Sequence, residues 1–475
     1  MAEFIVAIEL GSSKITGIAG RKNLDGSITV QAVAQEESAS CIRKGVVYNI
    51  DKTVQALASI IKKLETTLHS KIAHVYVGVG GQSIQSVKNT NVRELPPDGI
   101  VTQDIINALM DANRSMQYPD KLILDAITQE YKVDSQFQLD PVGIQCQRLE
   151  GNFLNIIWRK TFYRSLKKCF DQANIAVLDM YLSPLALADS VLTDTERRSG
   201  CVLVDLGADT TTVCLYYKGI VRHLTVIPLG GNNITKDIAY LQMEDTAAED
   251  MKLKYASALT EDGSVDKNAT YPIDGVRTVP VSLFNDIVEA RVQEIIMNVW
   301  CQVPGEYADK LLGGIILTGG GSNMKNIEAA FRYFTHIDKV RVARFVNETI
   351  KSSNAIVNAR DGRLCTALGI LAKGDQNCSG GELTNDLFSN NPVKPAPANE
   401  EPKPVTVTPG DGNGRVINQK DEDIDGKKND NGDDKKTDNG QDEEPKQRPS
   451  KPSWLQKTFS KLKKFGNDMV RADEE

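Results

Sequence analysis

Through the first 375 positions apolar residues fall in short blocks, and the blocks come twice in the same order. Residues 4–10 read as an apolar strand, 14–21 as a second and 28–36 as a third, with turns at Gly11-Ser12-Ser13 and Asn23-Leu24-Asp25-Gly26. Near the middle the layout returns. Residues 201–205, 211–217 and 221–227 read as strands, divided by a turn at 207–209 and another at Lys218-Gly219. Two copies of strand, acid, glycine turn and strand predict an α/β fold of two related halves facing one cleft. Between them, residues 103–116 read as a helix followed by ITQEYKVD, DPVG and GNFLNIIW, where ITQEYKVD is a plain amphipathic strand and Gln129 has no catalytic role.

The periodicity changes at the far end of the chain. At about 100° per residue, Trp454, Leu455, Phe459, Leu462, Phe465, Met469 and Val470 share one half of a helical wheel. The other half holds Gln456, Lys457, Ser460, Lys461, Lys463, Lys464, Asn467, Asp468 and Arg471, and only Thr458 and Gly466 sit among the apolar residues. Ser453 and Gln456 form a capping-box pattern behind Pro452. Such a helix is too short to span a bilayer and suits the headgroup boundary of an anionic one. Six basic residues oppose Asp468 between positions 451 and 471, each contributing about 1 kcal/mol near such a surface. A helix docked on its own domain or in a partner's groove is the competing reading.

Composition separates these two regions. Residues 376–450 carry sixteen acidic residues, ten basic ones and eight prolines, and no Phe, Tyr or Trp occurs between Ser389 and Ser453. That composition predicts a disordered, solvated tether spanning roughly 50 Å. The net charge of −7 is gathered largely there and gives no nucleic-acid footprint. Eight cysteines without a CxxC pair and four scattered histidines (His69, His74, His223, His336) indicate neither a disulfide framework nor zinc. No apolar run approaches a transmembrane helix and no signal peptide is read before the first strand, so a cytosolic body is expected.

The turns carry the chemistry. Glu9-Leu10-Gly11-Ser12-Ser13-Lys14 and Asp205-Leu206-Gly207-Ala208-Asp209-Thr210 each set an acid at a strand end, ahead of a glycine turn whose N–H groups can cradle phosphate. Asp205 is placed to hold Mg²⁺ through water. Gly230-Gly231-Asn232 lets backbone approach the phosphates. A strand from Gly314 runs into Thr318-Gly319-Gly320-Gly321-Ser322 and then a helix over 325–334, a turn suited to the α-phosphate and nucleoside. Three such elements in this order point to a nucleotide site.

With these motifs the chain resembles the actin-like ATPase superfamily and, within it, the FtsA family of bacterial division proteins. VAIELGSSK resembles the first phosphate loop, with Glu9 where the superfamily usually has Asp; VLVDLGADTTTVCLY resembles the second and LTGGGSNM the adenosine motif. Residues 182–188 and 366–369 resemble the two hinge helices. AAEDMKLKYASAL matches the nucleoside clamp, which implies roles for Glu249 and Lys252, and IVEARVQEI implies that Arg291 lies in the segment binding the C-terminal peptide of the tubulin-like FtsZ.

The resemblance implies a duplicated, ribonuclease H-like two-lobed fold: first lobe 1–83, insert subdomain 84–165, first lobe again 166–197, second lobe 198–363, a return helix 364–375, linker 376–450 and membrane-targeting helix 451–475. It implies ATP and Mg²⁺ as cofactors, filaments of the protein itself, later division proteins recruited by the insert, and a peripheral place on the cytoplasmic membrane at the division site. Relatives read Asp-Ile-Gly-Gly-Gly-Thr in the second loop, whereas Ala208 and Asp209 stand at the two later glycines and Thr212 where relatives tend to carry an acid. Those side chains would crowd the phosphates and add a like charge, so weak hydrolysis at best is expected. A pilus-assembly scaffold and another ATPase of the superfamily are the alternatives.

Overall fold

The computed structural model describes residues 3–260 and 268–379. Strand Ile5–Leu10 pairs antiparallel with Lys14–Lys22, which pairs antiparallel with Ile28–Glu37; on its other side lie, in parallel, His74–Val79 and then Ala176–Leu182. The second sheet repeats this order. Cys201–Leu206 pairs antiparallel with Thr211–Tyr217 and that with Ile220–Ile227, while Gly314–Thr318 and Val340–Val342 extend it in parallel on the other side. The central strands are near-continuous apolar runs because they are covered on both faces. Val6, Ala7 and Ile8 in one lobe and Val202, Leu203 and Val204 in the other are 2% exposed or less.

Helix Ser183–Val191 leads from the first sheet to the second and packs against Cys365–Lys373. Leu185, Ala186, Leu368 and Ile370 lie in one core that also holds Leu203, Cys214 and Ile316 of the second sheet. Among the described residues no helix is long and apolar enough to cross a membrane.

The insert is built from strands Gln85–Glu94, Lys121–Val133, Gln136–Gln138 and Arg148–Arg159 with helix Gln103–Arg114, around a core of Leu109, Tyr131, Val133, Leu149 and Phe153. It leaves the chain of the first lobe but docks on the second. Gln85 bridges to Thr225, which makes one nine-stranded sheet; Arg222 Nη1 donates to Gln129 Oε1 at 3.2 Å, and Lys88 pairs with Glu306 at 2.7 Å.

Two expected boundaries move. Ile350–Lys351 pairs with Ile28 and Thr29, so the chain is back in the first sheet well before residue 364. A two-residue strand has too few positions to show a period. The start of the linker also shifts. Cys378 is fully buried, its N–H donates to the Phe4 carbonyl and its carbonyl accepts from Ala73, so the body reaches Ser379 rather than ending at 375. The rest of the expected linker and the whole helix 451–475 lie outside the described residues.

Candidate functional site

The repeat of the fold creates a repeat of local geometry. Glu9 and Asp205 occupy the penultimate position of equivalent strands, and each is followed by a tight hairpin closed by the same bond: Gly11 N–H to the Lys14 carbonyl at 3.0 Å, and Gly207 N–H to the Thr210 carbonyl at 2.9 Å. Ser38 braces the first hairpin, donating its hydroxyl to the Gly11 carbonyl at 2.6 Å and its N–H to the Ser13 carbonyl at 3.0 Å. Lys14 reaches Glu37 at 3.6 Å. These closures leave the remaining loop N–H groups for a ligand, as phosphate binding requires.

The third and fourth elements close around the second hairpin. Gly231 N–H donates to the Gly207 carbonyl at 3.0 Å and Asn232 N–H to the Ala208 carbonyl at 2.7 Å, which sets the start of helix Gly231–Ala239 beside the loop. The N–H groups of residues 230–233 are all taken, by the loop and by the helix start itself, so what this end of the helix offers an anion is its dipole. Lys252 Nζ donates to the Gly231 carbonyl at 3.2 Å, to Thr235 Oγ1 at 2.8 Å and to Glu249 Oε2 at 2.6 Å, so the expected clamp pair is tied to this helix.

On the opposite side, Gly319 opens the turn that ends strand Gly314–Thr318. Its φ is 83°, and a Cβ there would stand 2.3 Å from Asp205 Oδ1. Gly320 and Gly321 follow in a short 3₁₀ turn, and Ser322, 1% exposed, donates its hydroxyl back to the Gly319 carbonyl at 2.7 Å. The helix expected over 325–334 runs Ile327–Thr335.

The cleft floor is acidic. Desolvation, and then the neighbouring Asp205 charge, push the Glu9 carboxyl up to about 8, against donors from the Ala367 N–H and the Thr366 side chain. Desolvation raises Asp205 to about 6. Two such acids suit a hydrated divalent cation, which would take the place of the protons. Among the described residues no group of three or more His, Cys, Asp or Glu could hold a metal, so a cation here would depend on Asp205, water and a phosphate ligand.

A pH dependence follows. Both carboxyls bind protons more tightly in the folded state, so their stabilising contribution is complete below the ordinary carboxylate range and is lost as pH rises towards about 8. In melting experiments without added cation, Glu9→Gln is expected to remove part of the loss of stability that the parent protein shows over that window. Parallel pH profiles for the two proteins would count against it.

The structure brings together Gly11, Ser12, Ser13, Lys14, Asp205, Gly207, Thr210, Gly231, Asn232, Glu249, Lys252 and the 319–322 turn. Arg291 stands apart. It lies on helix Val281–Cys301, where its guanidinium donates to Asp237, with Nη2 to Oδ1 at 2.9 Å, and also reaches Glu294. Asp237 sits on the same helix that Gly231 begins.

Sequence reasoning missed the turn at Lys44-Gly45, which touches both hairpins. Gly45 N–H donates to Ser12 Oγ at 2.8 Å and Lys44 N–H to Asp209 Oδ2 at 3.0 Å. Asp209 Oδ1 also accepts from the Asn232 amide at 2.8 Å. The carboxylate expected to crowd a phosphate is thus held by two neutral donors. A lysine-glycine pair between apolar residues is a hairpin signal, though nothing in it announces a contact 165 residues away.

Two family models match the chain: "Cell division protein FtsA" over residues 202–369, and "SHS2 domain inserted in FTSA" over residues 81–157. Cell division protein FtsA of Neisseria meningitidis serogroup B is 34% identical over 332 residues, covering 68% of this chain and 80% of that protein. The Porphyromonas gingivalis protein of the same name is 28% identical over 440 residues, covering 89% and 88%. Among solved structures, the PilM-PilN type IV pilus biogenesis complex aligns with a TM-score of 0.55 at 14% identity, over 77% of this chain and 97% of that one. At that identity the likeness concerns the fold alone, which is the actin-like one with an SHS2 insert.

Proposed function

This chain belongs to the FtsA family of cell division proteins, and from that premise we propose that it is an ATP-binding scaffold that ties FtsZ polymers to the inner face of the membrane. Membership of an actin-like division family implies nucleotide binding, self-association and partners in division. ATP, magnesium, FtsZ and the membrane are the specific content of the proposal.

The observation that carries the nucleotide half is the meeting of two matching hairpins with a third glycine turn at one acidic floor. In this reading the N–H groups of residues 12–14 and 208–210 hold phosphates, while Gly231 and Asn232 brace the second loop through their own N–H groups. Gly319, Gly320, Gly321 and Ser322 face the nucleoside, with Glu249 and Lys252 beside it, and Asp205 orients water on a magnesium ion. When bound, the cation supplies charge neutralisation between phosphate and the acids. Residues 454–470 supply the membrane contact. Recruitment then works by avidity, since several weak tail helices along one filament bind a surface far better than one.

Arg291, aligned by Asp237 and Glu294, marks the face for the FtsZ tail peptide. Later division proteins meet the insert, whose side away from the second lobe exposes Phe137 and Leu139.

Equilibrium binding of labelled ATP with and without magnesium, followed by a turnover assay, tests the nucleotide half. Saturable, magnesium-strengthened binding with turnover near background is expected. Absence of binding, or brisk hydrolysis, would overturn it.

A further inference from the structure

The Asp209 carboxylate has no role in the reading of the cleft given so far, yet it is held by two donors from two different elements. Lys44 and Gly45 are the central residues of the hairpin turn between strands Ile42–Arg43 and Val46–Val47, with φ of 51° and 72°. Their consecutive N–H groups donate to one hairpin each: Gly45 to the Ser12 hydroxyl oxygen of the first, and Lys44 to the Asp209 carboxylate of the second. The Asp209 carboxylate and the Ser12 hydroxyl are thus held by adjacent N–H groups of one turn, which places the carboxylate where the two hairpins approach each other.

The turn that holds it cannot back away. Gly45 packs against Gly81 so closely that a Cβ on Gly45 would fall 2.5 Å from the Gly81 Cα, and the Lys44 carbonyl accepts the Gln82 N–H at 2.8 Å. The two hydrogen-bond donors on Asp209, the Lys44 N–H and the Asn232 amide, are neutral, so they fix the carboxylate without cancelling its charge.

We propose that Asp209 fills, with its own carboxylate, the subsite between the two hairpins that the terminal phosphate of a nucleoside triphosphate would take, so that this chain binds nucleoside diphosphate in preference to triphosphate. The inference rests on the nucleotide reading of the cleft. A terminal phosphate and a carboxylate of like charge cannot share one gap. To seat a triphosphate, Asp209 must leave two donors and swing out, whereas a diphosphate leaves it in place. The same contact joins the second lobe to the first.

The test is equilibrium binding of ADP and of a non-hydrolysable ATP analogue, each with magnesium, to the full chain and to Asp209→Asn and Asp209→Gly, with melting curves confirming that the variants fold. Asparagine keeps an acceptor for the Lys44 N–H and removes the charge. The parent protein is expected to favour the diphosphate by about tenfold or more. Asp209→Asn should tighten the triphosphate analogue to within about threefold of the diphosphate, while diphosphate affinity moves less than that. An unchanged ratio in both variants would reduce Asp209 to a tie between the lobes and overturn the inference, leaving the nucleotide site intact. No binding of either nucleotide by any of the three proteins would overturn the nucleotide reading, and this inference with it.

Discussion

Vesicles of anionic lipid are expected to lose this protein when Trp454 and Phe465 are both replaced by glutamate. Each aromatic side chain contributes about 2 kcal/mol when its apolar surface leaves water, so losing both costs about 4 kcal/mol, near a thousandfold in partitioning. The added negative charges work in the same direction, because the six basic residues between positions 451 and 471 draw the segment to an anionic surface. Sedimentation with vesicles measures the effect. The comparison variant is Asn467→Gln, on the polar half of the wheel, which leaves the apolar face and the charge as they are and should pellet like the parent. Equal pelleting of the double glutamate variant would show that the terminal segment docks on protein and does not enter lipid.

Gly319→Ala is expected to cost both stability and nucleotide. At φ 83° any side chain is strained, and here the new methyl would also meet Asp205 Oδ1 at 2.3 Å and the Leu206 carbonyl at 2.7 Å. With ψ at 173° this backbone lies in a region essentially confined to glycine, where strain alone costs about 1–3 kcal/mol, and crowding a desolvated acid against the strand adds to that. Gly26→Ala separates the two effects. Gly26 also has a positive φ, 77°, with nothing within 4 Å of where its Cβ would stand, so that variant should show the cost of a positive φ without crowding and bind nucleotide normally. If both variants melt alike and both bind nucleotide, the close approach of the third turn to Asp205 is not part of a working site.

The duplicated core was legible because its strands are buried on both faces. Such strands read as unbroken apolar runs bounded by glycine, and IVAIEL and CVLVDL differ little in that respect. The acid and glycine at their ends carried the hairpins with them, since these turns close through bonds spanning only three residues. What the sequence hid depends on contacts between distant segments. Arg291 reads only as part of an expected peptide-binding segment, and its partner Asp237, 54 residues away, is not visible in the sequence. The insert reads as an appendage of the first lobe, although Thr225 and Gln85 make it part of the second sheet. Asp209 reads as an intruder in a phosphate loop, because Lys44, its donor, belongs to the other lobe. The tether was misplaced by a few residues for a related reason: Gln376–Ser379 has no apolar pattern beyond Cys378, and its place is fixed by pairing with Phe4 and Ala73.

The geometry also suggests how the parts act together. Helix Gly231–Ala239 begins at the second hairpin and carries Asp237, the partner of Arg291. Lys44 donates its N–H to Asp209 and accepts at its carbonyl from the N–H of Gln82, at the root of the insert. The state of the cleft therefore touches, within one element in each direction, both surfaces assigned to partners.

The central claim is tethering, and vesicle co-sedimentation of FtsZ polymers tests it most directly. FtsZ is mixed with anionic vesicles and either the full chain or one ending at Ser450. The account predicts that FtsZ pellets with the vesicles only in the presence of the full chain. FtsZ remaining in the supernatant with both proteins would contradict it, leaving an actin-like member of the division family whose partner lies elsewhere.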